Sequence, residues 1–160
     1  MDHIKAIELE SKLKGRTIDG WTVESLINHG KSAAVFLALK GGEKAAVKVF
    51  DDELIEKYGD VAQLARIDRE LTLVGQSHPN MVQLFGGGVD ATTGNHFIIM
   101  EFLDGPNLKQ CLNDIPAENI GTLVAQLADC AKYRDLRKFL ETCSLGLWCF
   151  ETSRGSRFDR

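Results

Sequence analysis

Along the chain, the hydrophobic and polar positions change period from one segment to the next. Residues 1–20 are mixed, with Gly15 and Gly20 as breaks, and predict a short extension leading into a domain. Trp21–Ile27 (WTVESLI) is rich in β-formers and predicts a strand, closed by a turn at His29-Gly30-Lys31-Ser32. Ala33–Leu39 predicts a second strand, ending at Lys40-Gly41-Gly42. Glu43–Phe50 predicts a third, because Lys44, Ala46 and Lys48 alternate with Ala45, Val47 and Val49, the period of a half-buried strand.

From Asp51 to Gln76 the period lengthens. Leu64, Ile67, Leu71 and Val74 recur at three and four residues, the apolar stripe of an amphipathic helix, with Gly59 dividing a short turn from the main helix. Ser77-His78-Pro79-Asn80 ends it, since proline disfavours helix at the residue before it. Met81–Phe85 and His96–Phe102 predict two more strands, joined through Gly86-Gly87-Gly88 and a turn at Ala91–Asn95. Pro106 and Asn107 open a short helix to Leu112. Pro116 fits the first turn of a longer helix that runs through Leu123, Leu127 and Cys130 to about Leu140. Three strands, a helix, two strands and then helices predict an α+β fold built on an antiparallel sheet with one helix packed on it.

Composition narrows the function classes. The 160 residues are 44% hydrophobic with a net charge of −4, which suits one soluble domain. No Lys/Arg run forms a basic stripe, so nucleic acid is not the expected partner. The charged N-terminus has no apolar signal-peptide region, and no apolar run approaches the roughly 18–20 residues that span a bilayer. Cys111, Cys130, Cys143 and Cys149 form no C-x-x-C pair and have no zinc-like spacing to His. Free thiols and a cytoplasmic location are expected, without a membrane partner.

Lys48 carries the clearest candidate chemistry. It lies in Ala46-Val47-Lys48, inside a strand and flanked by apolar residues. An isolated A-V-K is also compatible with a lysine that snorkels to water. Glu70 follows on the helix, in Arg69-Glu70-Leu71, and could equally be a solvated carboxylate paired with Arg66 one turn earlier. His78-Pro79-Asn80 and Met81-Val82-Gln83-Leu84 come next, then Phe97-Ile98-Ile99-Met100-Glu101-Phe102-Leu103-Asp104-Gly105.

In this order the segments resemble the small lobe of a protein kinase, of the bacterial Ser/Thr type, over Trp21–Leu112. The resemblance implies that Lys48 holds the phosphates of ATP and pairs with Glu70. It makes Met100 the gatekeeper beside the adenine, with Glu101 and Leu103 offering backbone groups to the adenine edge and Asn107 placed for ribose. The family's G-x-G-x-x-G-x-V flap aligns with Asn28-His29-Gly30-Lys31-Ser32-Ala33-Ala34-Val35, where Gly30 and Val35 match. Asn28 tolerates positive φ and could make the turn, while Val35 and Ala46 would roof the adenine.

The resemblance thins towards the C-terminus. H-R-D-x-x-x-x-N and D-F-G, which carry the catalytic base and the magnesium ligands in the family, do not occur in these residues. Tyr133-Arg134-Asp135-Leu136 is like R-D-L, but Leu140 stands where Asn belongs, so Asp135 reads as a helix-surface charge. Leu145-Gly146-Leu147 is like a run that precedes the catalytic loop, and no expected motif follows it.

The expected organisation is therefore an extension at 1–20, a kinase-like lobe and hinge at 21–104, the first large-lobe helices at 105–146 and an aberrant or disordered tail at 147–160. The expected fold is a five-stranded antiparallel sheet plus one helix, followed by one or two helices of an incomplete large lobe. ATP is the expected ligand. Magnesium is implied by the family, with no metal ligand assignable here. Three functions stay open: an ATP-binding domain inactive in phosphotransfer alone, a pseudokinase-like interaction module, and a non-functional truncated or frameshifted fragment. Leu123, Leu127, Phe139, Leu145 and Trp148 would form an exposed apolar face for a protein partner.

Overall fold

The computed structural model describes residues 1–51, 60–105 and 112–133. They form two compact units. The first comprises Met1–Gln76 and Gln83–Phe102, and the second comprises Ser77–Val82 and the residues from Leu103 onward.

The first unit is a sheet of six strands: β1 (Thr17–Ile18), β2 (Trp21–His29), β3 (Ala33–Lys40), β4 (Glu43–Phe50), β5 (Leu84–Val89) and β6 (His96–Glu101). Their spatial order is β1-β2-β3-β4-β6-β5, antiparallel throughout. The α+β fold with an antiparallel sheet is as expected, with the two-residue β1 as an added strand. β1 turns into β2 through Asp19 and Gly20, at φ 48° and 83°, and β3 into β4 through Gly41 and Gly42, at 59° and 89°. Two residues at positive φ make the tight turn whose twist matches that of its strands. The sheet curls: Trp21 of β2 stacks on Phe85 of β5 with ring centroids 6.1 Å apart, although the two strands lie far apart in the spatial order.

Residues 1–20 are more than an extension. His3–Leu13 is a helix, α1, capped by Asp2, whose carboxylate accepts from the Lys5 N–H at 2.9 Å. Ala6 and Leu13 are buried in a core with Ile18, Trp21, Val23, Phe36, Val47, Val49, Phe97 and Ile99. Glu10 accepts the Leu26 N–H at 2.8 Å and so fastens α1 to β2. α1 thus covers one face of the sheet.

Helix α2 spans Asp60–Leu71, with Ile67 buried. It stops short of the expected Gln76, so Val74 lies in the following turn and is exposed. The fourth predicted strand also moves. Met81–Gln83 lie outside it, and Gly86–Gly88, expected as a linker, are inside β5. A Cβ on Gly87 would stand 2.4 Å from Leu71 Cδ2 and 2.7 Å from the Phe97 carbonyl, so glycine there lets α2 approach the sheet edge.

In the second unit, Leu112–Asp114 is one turn of 3₁₀ helix and Ala117–Tyr133 is α3, which starts directly after Pro116. His78 Nε2 and Asn80 Nδ2 each lie 3.3 Å from Asp129 Oδ2 of α3. Leu123 is buried rather than open as expected, and among the described side chains of α3 the exposed large hydrophobic ones are Ile120 and Val124. Phe139, Leu145 and Trp148, and with them Asp135, lie outside the described residues. Among the described residues no helix is long and apolar enough to cross a membrane.

Candidate functional site

Strand β4 is central, and its period places Ala46, Lys48 and Phe50 on the face opposite α1. Register extends that face sideways. Val35 of β3 and Ile98 of β6 flank Lys48, while Leu37 and Met100 flank Ala46. Ala46, Ile98 and Met100 are buried. Lys48 is thus the one charged side chain in an apolar row, at 1% exposure. It does not snorkel.

Its partner is Glu70. Lys48 Nζ donates to Glu70 Oε1 at 3.1 Å and Oε2 at 2.8 Å, so one ammonium bridges both carboxylate oxygens. Glu70 is 4% exposed and is not a solvated helix carboxylate. Arg66, one turn earlier on α2, has Nε 3.8 Å from Glu70 Oε1, which adds a second, longer-range positive charge. The Lys48 ammonium also lies over the Phe50 ring, 4.7 Å from its centroid. Removing two charges from water costs several kcal/mol each, and this density of compensating contacts is what makes the burial tolerable. Phe50 was not singled out in the sequence, though its position two residues after Lys48 on one strand puts it on the same face.

The β2–β3 hairpin lies beside this face. Gly30 donates to the Ala33 carbonyl at 2.8 Å and closes a short loop over Gly30–Ser32. Asn28 is not in the turn. It lies inside β2, paired with Val35, without positive φ, and its side chain accepts the His29 N–H. The tight part of the hairpin falls after Asn28, so a left-handed conformation is not needed there.

Glu101 ends β6. Its N–H donates to the Gln83 carbonyl at 2.9 Å. Leu103 follows in coil and belongs to the second unit. Asn107 lies outside the described residues. The structure therefore gathers Val35, Ala46, Lys48, Glu70 and Met100 on one face, places Gly30 in the adjoining hairpin loop, and leaves Asn28 in a strand. Among the described residues no three His, Cys, Asp or Glu side chains converge as a metal site.

Solved structures of a kinase domain share this fold. The Mycobacterium tuberculosis PknI kinase domain superimposes with a TM-score of 0.64 at 23% identity, over 78% of this chain and 51% of that domain. Curated relatives agree. CBL-interacting serine/threonine-protein kinase 19 of Arabidopsis thaliana is 34% identical over 108 residues, 66% of this chain and 21% of the relative. Kinase 18 of the same series is 41% identical over 86 residues, and chitin elicitor receptor kinase 1 is 31% identical over 109. No family model matches the chain. The fold and these matches make the chain protein-kinase-like, with serine/threonine kinases among its homologues. The chain spans about a fifth of the length of kinase 19 and about half of the PknI domain.

Proposed function

We propose that the first unit binds ATP, with Lys48 holding the phosphates and Glu70 fixing the lysine. The observation that carries this reading is the buried Lys48–Glu70 pair in an otherwise apolar row. An ammonium clamped by one carboxylate keeps a defined position, which suits it to phosphate oxygens. Gly30 covers the phosphates from the hairpin. Val35 and Ala46 lie over the adenine with Met100 beside it, and Glu101 supplies a backbone group to its edge. ATP brings a transferable γ-phosphoryl group when bound. No step is assigned to magnesium, for which the described residues offer no ligand set.

Several of the relatives are named serine/threonine-protein kinases, so the parent activity proposed is phosphoryl transfer from ATP to Ser or Thr. These 160 residues alone are proposed to bind nucleotide with negligible transfer, because positioning carries most of this chemistry. A second reading, a docking module for another protein, is favoured by Ile120 and Val124, one turn apart on α3 at 50% and 57% exposure.

The test is a thermal melt with and without Mg-ATP on the wild type, Lys48→Ala, and Lys48→Met combined with Glu70→Leu. Ligand at 100 times Kd stabilises the native state by about 2.7 kcal/mol. A rise in Tm confined to the wild type supports the reading. A cooperative wild-type melt with no shift rejects nucleotide binding and moves the docking module to first place.

A further inference from the structure

The hairpin loop of the candidate site is held from outside by α1, and the contact is made by two imidazoles. His3 lies in the first turn of α1 and is exposed, while His29 is the last residue of β2, next to Gly30, and is half-buried. His3 Nδ1 and His29 Nε2 are 3.3 Å apart, with ring centroids at 5.3 Å and ring planes inclined by 38°. The Met1 nitrogen donates to the Lys31 carbonyl on the same loop. Neither histidine has a role in the site described above.

From this geometry we propose that His3 and His29 form a two-imidazole site for a late divalent transition metal such as zinc. Two nitrogens at about 2.0–2.1 Å from one tetrahedral Zn²⁺ stand about 3.3 Å apart, so both rings can ligate from near their present positions. Imidazole suits zinc, nickel and copper, and the exposed setting leaves the remaining positions to water. The proton balance also closes. In the neutral pair, the ring N–H that points between the residues transfers to the outer nitrogen of the same ring. The metal then takes both inner lone pairs, and no net proton is released. The bound metal joins α1 to the β2–β3 hairpin and ties down the loop beside Lys48. The residues ligate whether or not that loop covers a nucleotide.

The experiment is a zinc titration of the full chain, followed through the imidazole ring signals in NMR. This readout separates His3 and His29 from His78 and His96 and is not confused by metal held on cysteines. The expected result is that His3 and His29 move together and saturate at one equivalent, and that zinc raises Tm. His29→Ala is expected to weaken the response of His3 at least tenfold, and His3→Ala that of His29. His29→Gln, which keeps a side chain of similar size, guards against loss of the hairpin. The proposal is overturned if both ring signals stay still under zinc. It is equally overturned if either histidine responds with unchanged affinity after the other is replaced.

Discussion

Lys48 and Glu70 are mutually dependent. With one removed, the other stays buried, at 1% or 4% exposure, without the bridging ion pair that offsets its desolvation. Breaking a buried pair costs about 3–5 kcal/mol, whereas replacing both partners by apolar groups of similar size is often neutral. Glu70→Ala should therefore lower the unfolding free energy in urea by about 3–5 kcal/mol, a large share of a typical domain's roughly 5–15 kcal/mol. Lys48→Met with Glu70→Leu should recover most of that loss while giving up any phosphate grip. A single-variant cost under about 1 kcal/mol would mean that water reaches the pair, and the energetic picture drawn from burial would fail.

Among the elements, the approach of α2 to the sheet edge depends on one missing methyl. A Cβ at Gly87 would overlap Leu71 Cδ2 on one side and the Phe97 carbonyl on the other. Leu71 can rotate but the Phe97 carbonyl on β6 cannot, so Gly87→Ala should strain the β5–β6 pairing as well as crowd α2, at a cost of about 1–3 kcal/mol. Glu70 is one residue before Leu71, so the shift should also disturb its contact with Lys48. Equilibrium unfolding reads the first effect, and a loss of nucleotide-induced Tm shift larger than that of Val89→Ala, at an exposed position on the same strand, reads the second.

This glycine run also marks where the sequence stopped being legible. Three glycines in a row resemble a linker, and only the tertiary approach of α2 explains why a strand uses them. The central strands were easier, because the β-rich run over Glu43–Phe50 marks a strand whose period separates Lys44, Ala46 and Lys48 from Ala45, Val47 and Val49, although both faces are buried from Ala45 onward. From that alternation, A-V-K placed Lys48 on one face, whereas the pairing with Glu70 came from the family resemblance, since the residue alone read equally well as a solvated helix carboxylate. α1 was missed although its signals exist. Asp2 is a capping residue, Ala6 and Leu13 share a face, and Gly15 ends the segment at φ 76°. Asp19-Gly20 is likewise a recognisable hairpin turn, but a partner strand of two residues is too short for any period to register.

For the whole molecule, the two units should differ in how they open. In the first, β3, β4 and β6 carry most of the buried apolar side chains of the sheet. Their amides should exchange with solvent only through global unfolding of the unit, whereas α3, with Ile120 and Val124 in water, should exchange through smaller local openings. Nucleotide separates the two mechanisms, because a ligand slows only those openings that destroy its site. At 100 times Kd the globally exchanging amides should slow by about 100-fold, the factor set by the same 2.7 kcal/mol that raises Tm. Hydrogen exchange followed by mass spectrometry should therefore show near-uniform slowing across β3, β4 and β6 with Mg-ATP. The slowing should vanish in the Lys48→Met, Glu70→Leu variant. Slowing restricted to a few surface amides, or equal in that variant, would mean that ATP binds elsewhere and that Lys48 and Glu70 are a structural pair alone.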